Sequence, residues 1–307
     1  MSIDIEFGDV FFPTIKEIGQ LEIETNDKLV NKFLILSNTL DVDIEHLNLK
    51  NNKLNLSPVY YELYNNVKNS ITSKNFEVAR ELLSKEYPPY LIQEKINDRL
   101  VERKSILMNG HAERCLNNVA LQATEDSSSI EFLEVNQRMR NGYTNTIDTL
   151  LNRSNYAFYF VEKTLKELVP FEAGNGIGAS FYGYSGGVFL NPKYLERPYL
   201  ASEHIYHECR HSVFNHILIK YPLYENSPKE KFTSVLRKDK RPMFGLFHQL
   251  YVLVGLIELF KENDDEMLKA AESSFSDCIN IIQSNAKLTE HGKEFIEMAV
   301  KYDCKTY

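Results

Sequence analysis

The sequence predicts a mainly α protein with a small β element. Three observations carry that expectation. Apolar residues recur at helical spacing from Asp27 to about Leu168 and again after Pro198. Helix-opening signatures precede several of these runs, as in Ser57-Pro58, where an N-cap serine is followed by proline at the first helical position. Glycine and aromatic residues crowd into one short stretch, with six of the 13 glycines between Gly174 and Gly187.

Taken in order, residues 1 to 25 alternate apolar and polar, as in Leu21-Glu22-Ile23-Glu24, which predicts a short strand. Helices with polar breaks follow. Ser128 with Glu131 reads as a capping box, and Asn141-Gly142 as the break that ends the helix it opens. A further helix is expected from Ser154 to Leu168, stopping before Pro170. Beyond it, Phe181, Tyr182, Tyr184 and Phe189 interleave the glycines. That mixture predicts hairpin or bulged strands near residues 176–190. A helix is then expected from Pro198 to about Tyr221, a charged loop, a helix opening near Pro242, and two amphipathic helices to the C-terminus. The division that follows is a mostly helical N-terminal region, 1–170, on which a helical domain with the β element, 171–307, packs.

At 307 residues and 35.7 kDa the chain suits one large domain or two packed ones. A hydrophobic content of 43% supports a sizeable core. The net charge of -8 argues against nucleic acid as a partner, since no cationic excess exists to neutralise phosphates. The scattered Cys115, Cys209, Cys278 and Cys304 read as reduced thiols of a cytosolic protein, not as a disulfide framework. Asp4, Glu6 and Asp9 occupy the start, where a signal peptide wants positive charge. The longest apolar stretch, Gly245 to Phe260, is interrupted by His248, Gln249 and Glu258, and reads as too short and too polar for a membrane span. A soluble cytoplasmic protein without a membrane partner is expected.

The strongest chemical signal is His207-Glu208-Cys209-Arg210-His211, an H-E-x-x-H. Histidines at i and i+4 share one helical face and can offer two imidazole nitrogens to one metal ion. The adjacent Glu208 is placed to act as a base or as a supporting hydrogen-bond partner. On a helical wheel, Leu200, His204, His207, Glu208, His211 and Asn215 form one stripe, with Tyr206, Val213, Phe214 and Ile217 opposite. The competing view of that stripe is an ordinary solvent-facing side. Cys209 points away from it and is rejected as a ligand.

For a third metal ligand, the positions a metzincin would use hold Phe214 and Ile217, with His216 one residue out of register. Glu225 falls in an expected loop and Glu258 late in its helix. His248, in the first half of the apolar helix Met243 to Phe260, is the better candidate. A lone histidine there is otherwise a hydrogen-bonded core residue. Arg241 shares a stripe with Phe244, His248 and Val252. Its guanidinium suits the far carboxylate of a small diacid chelated at the metal. The plainer role for Arg241 is a pair with Asp239 at the helix start, and Arg237 is next in line for the carboxylate.

Other signals are weaker. Gly174-Asn175-Gly176-Ile177-Gly178 lacks the spacing of a phosphate loop and reads as turns and bulges. His111-Ala112-Glu113 has the H-x-E spacing of iron-binding triads, but in helical surroundings it reads as a surface pair. The Lys229 to Arg241 charge run reads as a solvated loop, with an acidic peptide as the alternative contact.

Ser185-Gly186-Gly187-Val188-Phe189-Leu190, Glu203 through His211, Arg237-Lys238-Asp239-Lys240-Arg241-Pro242, and Gly245 to Tyr251 with His248 follow one another in an order that resembles a known family. These are the HExxH-motif proteins encoded with modified peptides, described as 2-oxoglutarate-dependent HExxH-type peptide β-hydroxylases. The resemblance covers about residues 185–255. It implies that His207, His211 and His248 hold Fe(II), with 2-oxoglutarate as cosubstrate and O2 as oxidant. Decarboxylation to succinate would then accompany hydroxylation of a side-chain β-carbon in a ribosomally made precursor peptide, with peptide recognition expected from the N-terminal region. Two rivals stand beside it. One is a zinc metallopeptidase in which Glu208 is the general base. The other is a non-catalytic peptide-binding metalloprotein.

Overall fold

A computed structural model describes residues 10–49, 56–85, 94–101, 131–172, 176–180, 182–262 and 264–303. The protein is mainly helical, with a small four-stranded sheet. Helix α1 (Ile15–Leu40) opens on a reciprocal capping box: Thr14 Oγ1 accepts from the Glu17 amide at 3.2 Å, and Glu17 accepts from the Thr14 amide at 2.6 Å. The Leu21–Glu24 alternation lies inside α1, so the expected strand is absent there. Ile18, Leu21, Leu29 and Phe33 fall on one helical face over 26 residues and outweigh a four-residue alternation. Helices α2 (Pro58–Thr72) and α3 (Phe76–Ser84) follow, α2 capped by Ser57 as expected.

Ser128 and the His111 pair lie outside the described residues. Glu131 sits in strand β1 (Glu131–Phe132), not in a helix, and α4 (Gln137–Arg153) is capped instead by Asn136, whose side chain accepts from the Met139 amide at 3.0 Å. Gly142 does not end α4. A Cβ at this position would lie 2.7 Å from the Leu195 carbonyl oxygen, so the glycine is where helix and turn approach most closely. Helix α5 (Asn155–Thr164) stops earlier than expected, and the chain enters strand β2 (Glu167–Glu172) with Pro170 inside it. β2 is buried along nearly its whole length, so it shows no alternation and reads as the tail of a helix.

Strands β3 (Gly178–Ala179) and β4 (Gly187–Leu190) supply the expected β element. The sheet order is β1-β2-β4-β3, with β2 and β4 parallel and the other pairings antiparallel. Side chains alternate across the sheet. Leu168, Val188 and Leu190 enter the larger core, built around α6 (Pro198–Lys220) and α7 (Met243–Phe260). Val169, Phe171 and Phe189 enter a second core with α2, α3 and the C-terminal half of α1. The boundary at 170/171 falls inside β2, and both cores take residues from each side of it. Helices α8 (Asp265–Asn285) and α9 (Glu290–Asp303) complete the chain, α8 packing along α7.

Two features of the core position the site. Helices α6 and α7 pack against each other. Arg210, fully buried on α6, ties them together by donating to the Tyr251 carbonyl at 2.8 Å and to the Phe11 carbonyl at 3.0 Å. Helix α7 corrects one reading of the sequence. Met243–Phe260 is long and apolar enough to span a bilayer, with a mean hydropathy of 1.7, yet 78% of it is buried inside the protein. Burial by neighbouring helices, not shortness or polarity, marks it as a core helix. Cys209 and Cys278 are buried free thiols.

Candidate metal centre

The H-E-x-x-H run occupies the middle of α6. No proline or glycine interrupts this helix after Pro198 at its first turn, so the i, i+4 register is kept. His207 Nε2 and His211 Nε2 face each other at 3.1 Å. Two nitrogens held about 2.1 Å from one ion at a right angle stand about 3.0 Å apart, so this pair has the spacing of neighbouring ligands. Both rings keep a partly exposed edge.

His248 arrives from the facing α7, on the third turn-forming position after Gly245. Its Nδ1 lies 2.9 Å from His211 Nδ1, on the opposite edge of the His211 ring from His207. The three imidazoles therefore meet in pairs rather than at one point. Among the described residues, no three His, Cys, Asp or Glu side chains already form a metal-holding group. A common ion requires His248 to present a nitrogen on the Nε2 side of His211. His248 Nε2 is buried without a hydrogen-bond partner among the described residues, which leaves that nitrogen uncommitted.

The electrostatics suit ligation. Burial holds His248 down to about 3. His207 and His211 are also held well below the ordinary histidine value, first by burial and then by neighbouring imidazoles and Arg237. All three rings are neutral at pH 7, the form that binds metal. His204, one turn before His207, is half-buried and lowered to about 4 by burial; its Nε2 has no described partner and its ring meets Tyr194 edge-on.

Glu208 is buried beside the pair. Ser180 Oγ donates to its Oε2 at 2.6 Å and also lies 3.1 Å from its backbone carbonyl. Burial raises the Glu208 carboxyl to about 7, against the pull of the Ser180 hydrogen bonds and the Arg237 charge. A carboxyl so placed exchanges a proton near neutral pH. Ser180 is a site residue that the sequence reading passed over among turns. The small residues Gly178 and Ala179 are the available signal: they let β3 approach α6 closely enough for a Cβ at Gly178 to fall 3.8 Å from Glu208 Cγ.

The two arginines take different places, and Arg241 lies before α7, bridged to Phe232, not on the helical stripe expected for it. Arg241 Nε lies 2.8 Å from Asp239 Oδ2, the plainer of the two roles considered for it. Its aliphatic chain runs over Gly245 on the first turn of α7. Arg237 is the cation whose charge is felt at His207, Glu208 and His211, and also at Arg241. Glu258, the late-helix alternative to His248, is ten residues further along α7, about 15 Å by helical rise, and binds Tyr302 and Lys261. Glu225 lies in an exposed loop.

No protein-family model matches this sequence, and no curated protein matches it.

Proposed function

We propose that the chain is an Fe(II)- and 2-oxoglutarate-dependent dioxygenase of the cytoplasm that hydroxylates a side-chain β-carbon of a ribosomally synthesised peptide. The observation that supports this reading is the meeting of His207, His211 and His248 from two helices, all neutral at pH 7, with the Arg237 charge and the Glu208 carboxyl beside them. The ligand set assigned to iron is His207, His211 and His248. Bound Fe(II) supplies the redox chemistry that couples 2-oxoglutarate decarboxylation to O2-dependent hydroxylation.

The chain's own residues do the rest. Arg237 and Arg241 offer guanidinium forks for a dicarboxylate, Arg241 by exchanging Asp239 for the cosubstrate. Glu208 and Ser180 hold or release a proton beside His207. Phe214 and Phe244 pack edge-on and tilted against the His248 ring at 4.8 and 4.2 Å, limiting water on that side. Anaerobic loading with Fe(II), 2-oxoglutarate and the neighbouring encoded peptide, followed by admission of O2, should add one oxygen to the peptide and release succinate. Absence of 2-oxoglutarate consumption overturns this reading. The zinc peptidase reading draws on one observation, the Glu208 carboxyl raised to about 7. It is favoured if the zinc-loaded protein cleaves the same peptide.

A further inference from the structure

Beside the histidine cluster, α6 continues for two more turns after His211 and forms one wall of an open groove. Asn215, Leu218 and Ile219 of α6 line it, together with Tyr224, Tyr182 and Phe244. The groove holds about 360 Å³ and is mostly apolar. Phe244 belongs to both places. Its ring lies 4.2 Å from the His248 ring, yet the residue is 45% exposed. Together with the apolar groove it joins, the exposed Phe244 ring forms a continuous apolar surface that a partner can cover.

The run that leads into α7 is one-sided in charge. The Lys229–Arg241 run carries Lys229, Lys231, Arg237, Lys238, Lys240 and Arg241 against Glu230 and Asp239, on a chain of net charge -8. Arg237 of this run is close enough to shift His207 and His211. A partner that covers Phe244 therefore lies beside His248, with Arg237 of the positive run felt at the neighbouring histidines.

We infer that this groove is a specificity subsite for an acidic peptide segment and takes one aromatic or branched apolar side chain of that segment. The inference rests on the peptide-modifying reading above and names which residues of the peptide the protein selects. Geometry sets the spacing. Asn215 and Leu218 lie four and seven residues beyond His211, about 6–10 Å along the helix. An extended peptide advances about 3.3 Å per residue, so the apolar anchor falls two to three residues from the one presented at the histidines.

Fluorescence anisotropy on the full-length protein tests this, with EDTA present so that no metal bears on the result. The probe is a fluorescein-labelled ten-residue peptide of Glu, Ser and Gly with one central Phe. It is compared with the same peptide carrying Ser for Phe, and with one carrying Lys for every Glu. The acidic Phe peptide should bind best, the Ser version roughly tenfold or more weakly, and the Lys version weakest. Phe244→Ala and Leu218→Ser should each remove the preference for Phe while leaving the circular dichroism spectrum unchanged. Equal binding of the Phe and Ser peptides overturns the inference, as does discrimination that survives both substitutions. A protein that prefers Phe but consumes no 2-oxoglutarate keeps the groove and loses the hydroxylase reading. One that hydroxylates its peptide without such a preference keeps the hydroxylase and loses the groove.

Discussion

Arg210 and the histidines that flank it share one five-residue run of α6 but live in opposite environments. Arg210 is sealed: it is fully buried, donates to two backbone carbonyls, and packs its guanidinium over Tyr251 at 4.1 Å and Phe160 at 5.5 Å. His207 and His211 are partly open and find chiefly one another and His248. A buried cation tied to carbonyls and aromatic faces through its terminal nitrogens serves the fold. Neutral imidazoles crowded edge to edge are poorly satisfied by each other and suit a ligand from outside. The difference separates structural from chemical polar residues within a single turn of helix.

The largest expected effect lies on the open side. His207→Ala or His211→Ala should weaken Fe(II) or Zn(II) binding by more than the roughly 100-fold that loss of an outer hydrogen-bond partner costs. Unfolding by urea should barely change. Isothermal titration alongside a denaturation curve gives both readings, and a variant that keeps metal but loses stability would reverse the comparison.

Arg210→Ala should do the opposite. It empties a fully buried volume and removes the side-chain donor to the Phe11 carbonyl, a cost of about 3–5 kcal/mol in urea unfolding. Gly255→Ala sharpens the point at smaller cost. A Cβ there would sit 2.4 Å from Arg210 Cδ, so overpacking of about 1–3 kcal/mol is expected, and it should largely vanish in an Arg210→Ala background.

A fourth test uses His216, buried on the far side of α6 with its Nε2 3.2 Å from Ser185 Oγ. Burial lowers it from 6.5 to about 4. Because the folded value is depressed, its stability contribution is complete above pH 6.5 and is lost as pH falls toward 4, where the unfolded chain binds the extra proton. His216 should therefore account for a loss of about 2 kcal/mol between pH 7 and pH 5. His216→Gln should flatten that part of the stability profile, and an unchanged slope would remove His216 as its source.

Legibility in the sequence followed length and pattern. Helices α6 and α7 were readable because each is a long proline-free run opened by proline at or beside its start, and α8 and α9 because each is amphipathic at helical period. Strand β2 was not, because a strand covered on both faces has no alternation to show. The histidines of α6 were readable because i, i+4 spacing acts within one helix. Ser180 was not, since nothing local links a serine in a glycine-rich turn to a glutamate 28 residues later.

By itself, the sequence determined the helical class, the shared face of His207, Glu208 and His211, and the place of His248 on the next long helix. These depend on period and on neighbours a few residues apart. Tertiary structure decided the remainder: which edge of His211 meets His248, that Arg241 turns to Asp239 while Arg237 influences the cluster, and that Ser180 holds Glu208. Apart from the local Arg241–Asp239 pair, which the sequence already offered, these outcomes depend on how α6 packs against its neighbours. That packing is a balance of burial and close approach among residues far apart in the chain, which no local pattern encodes.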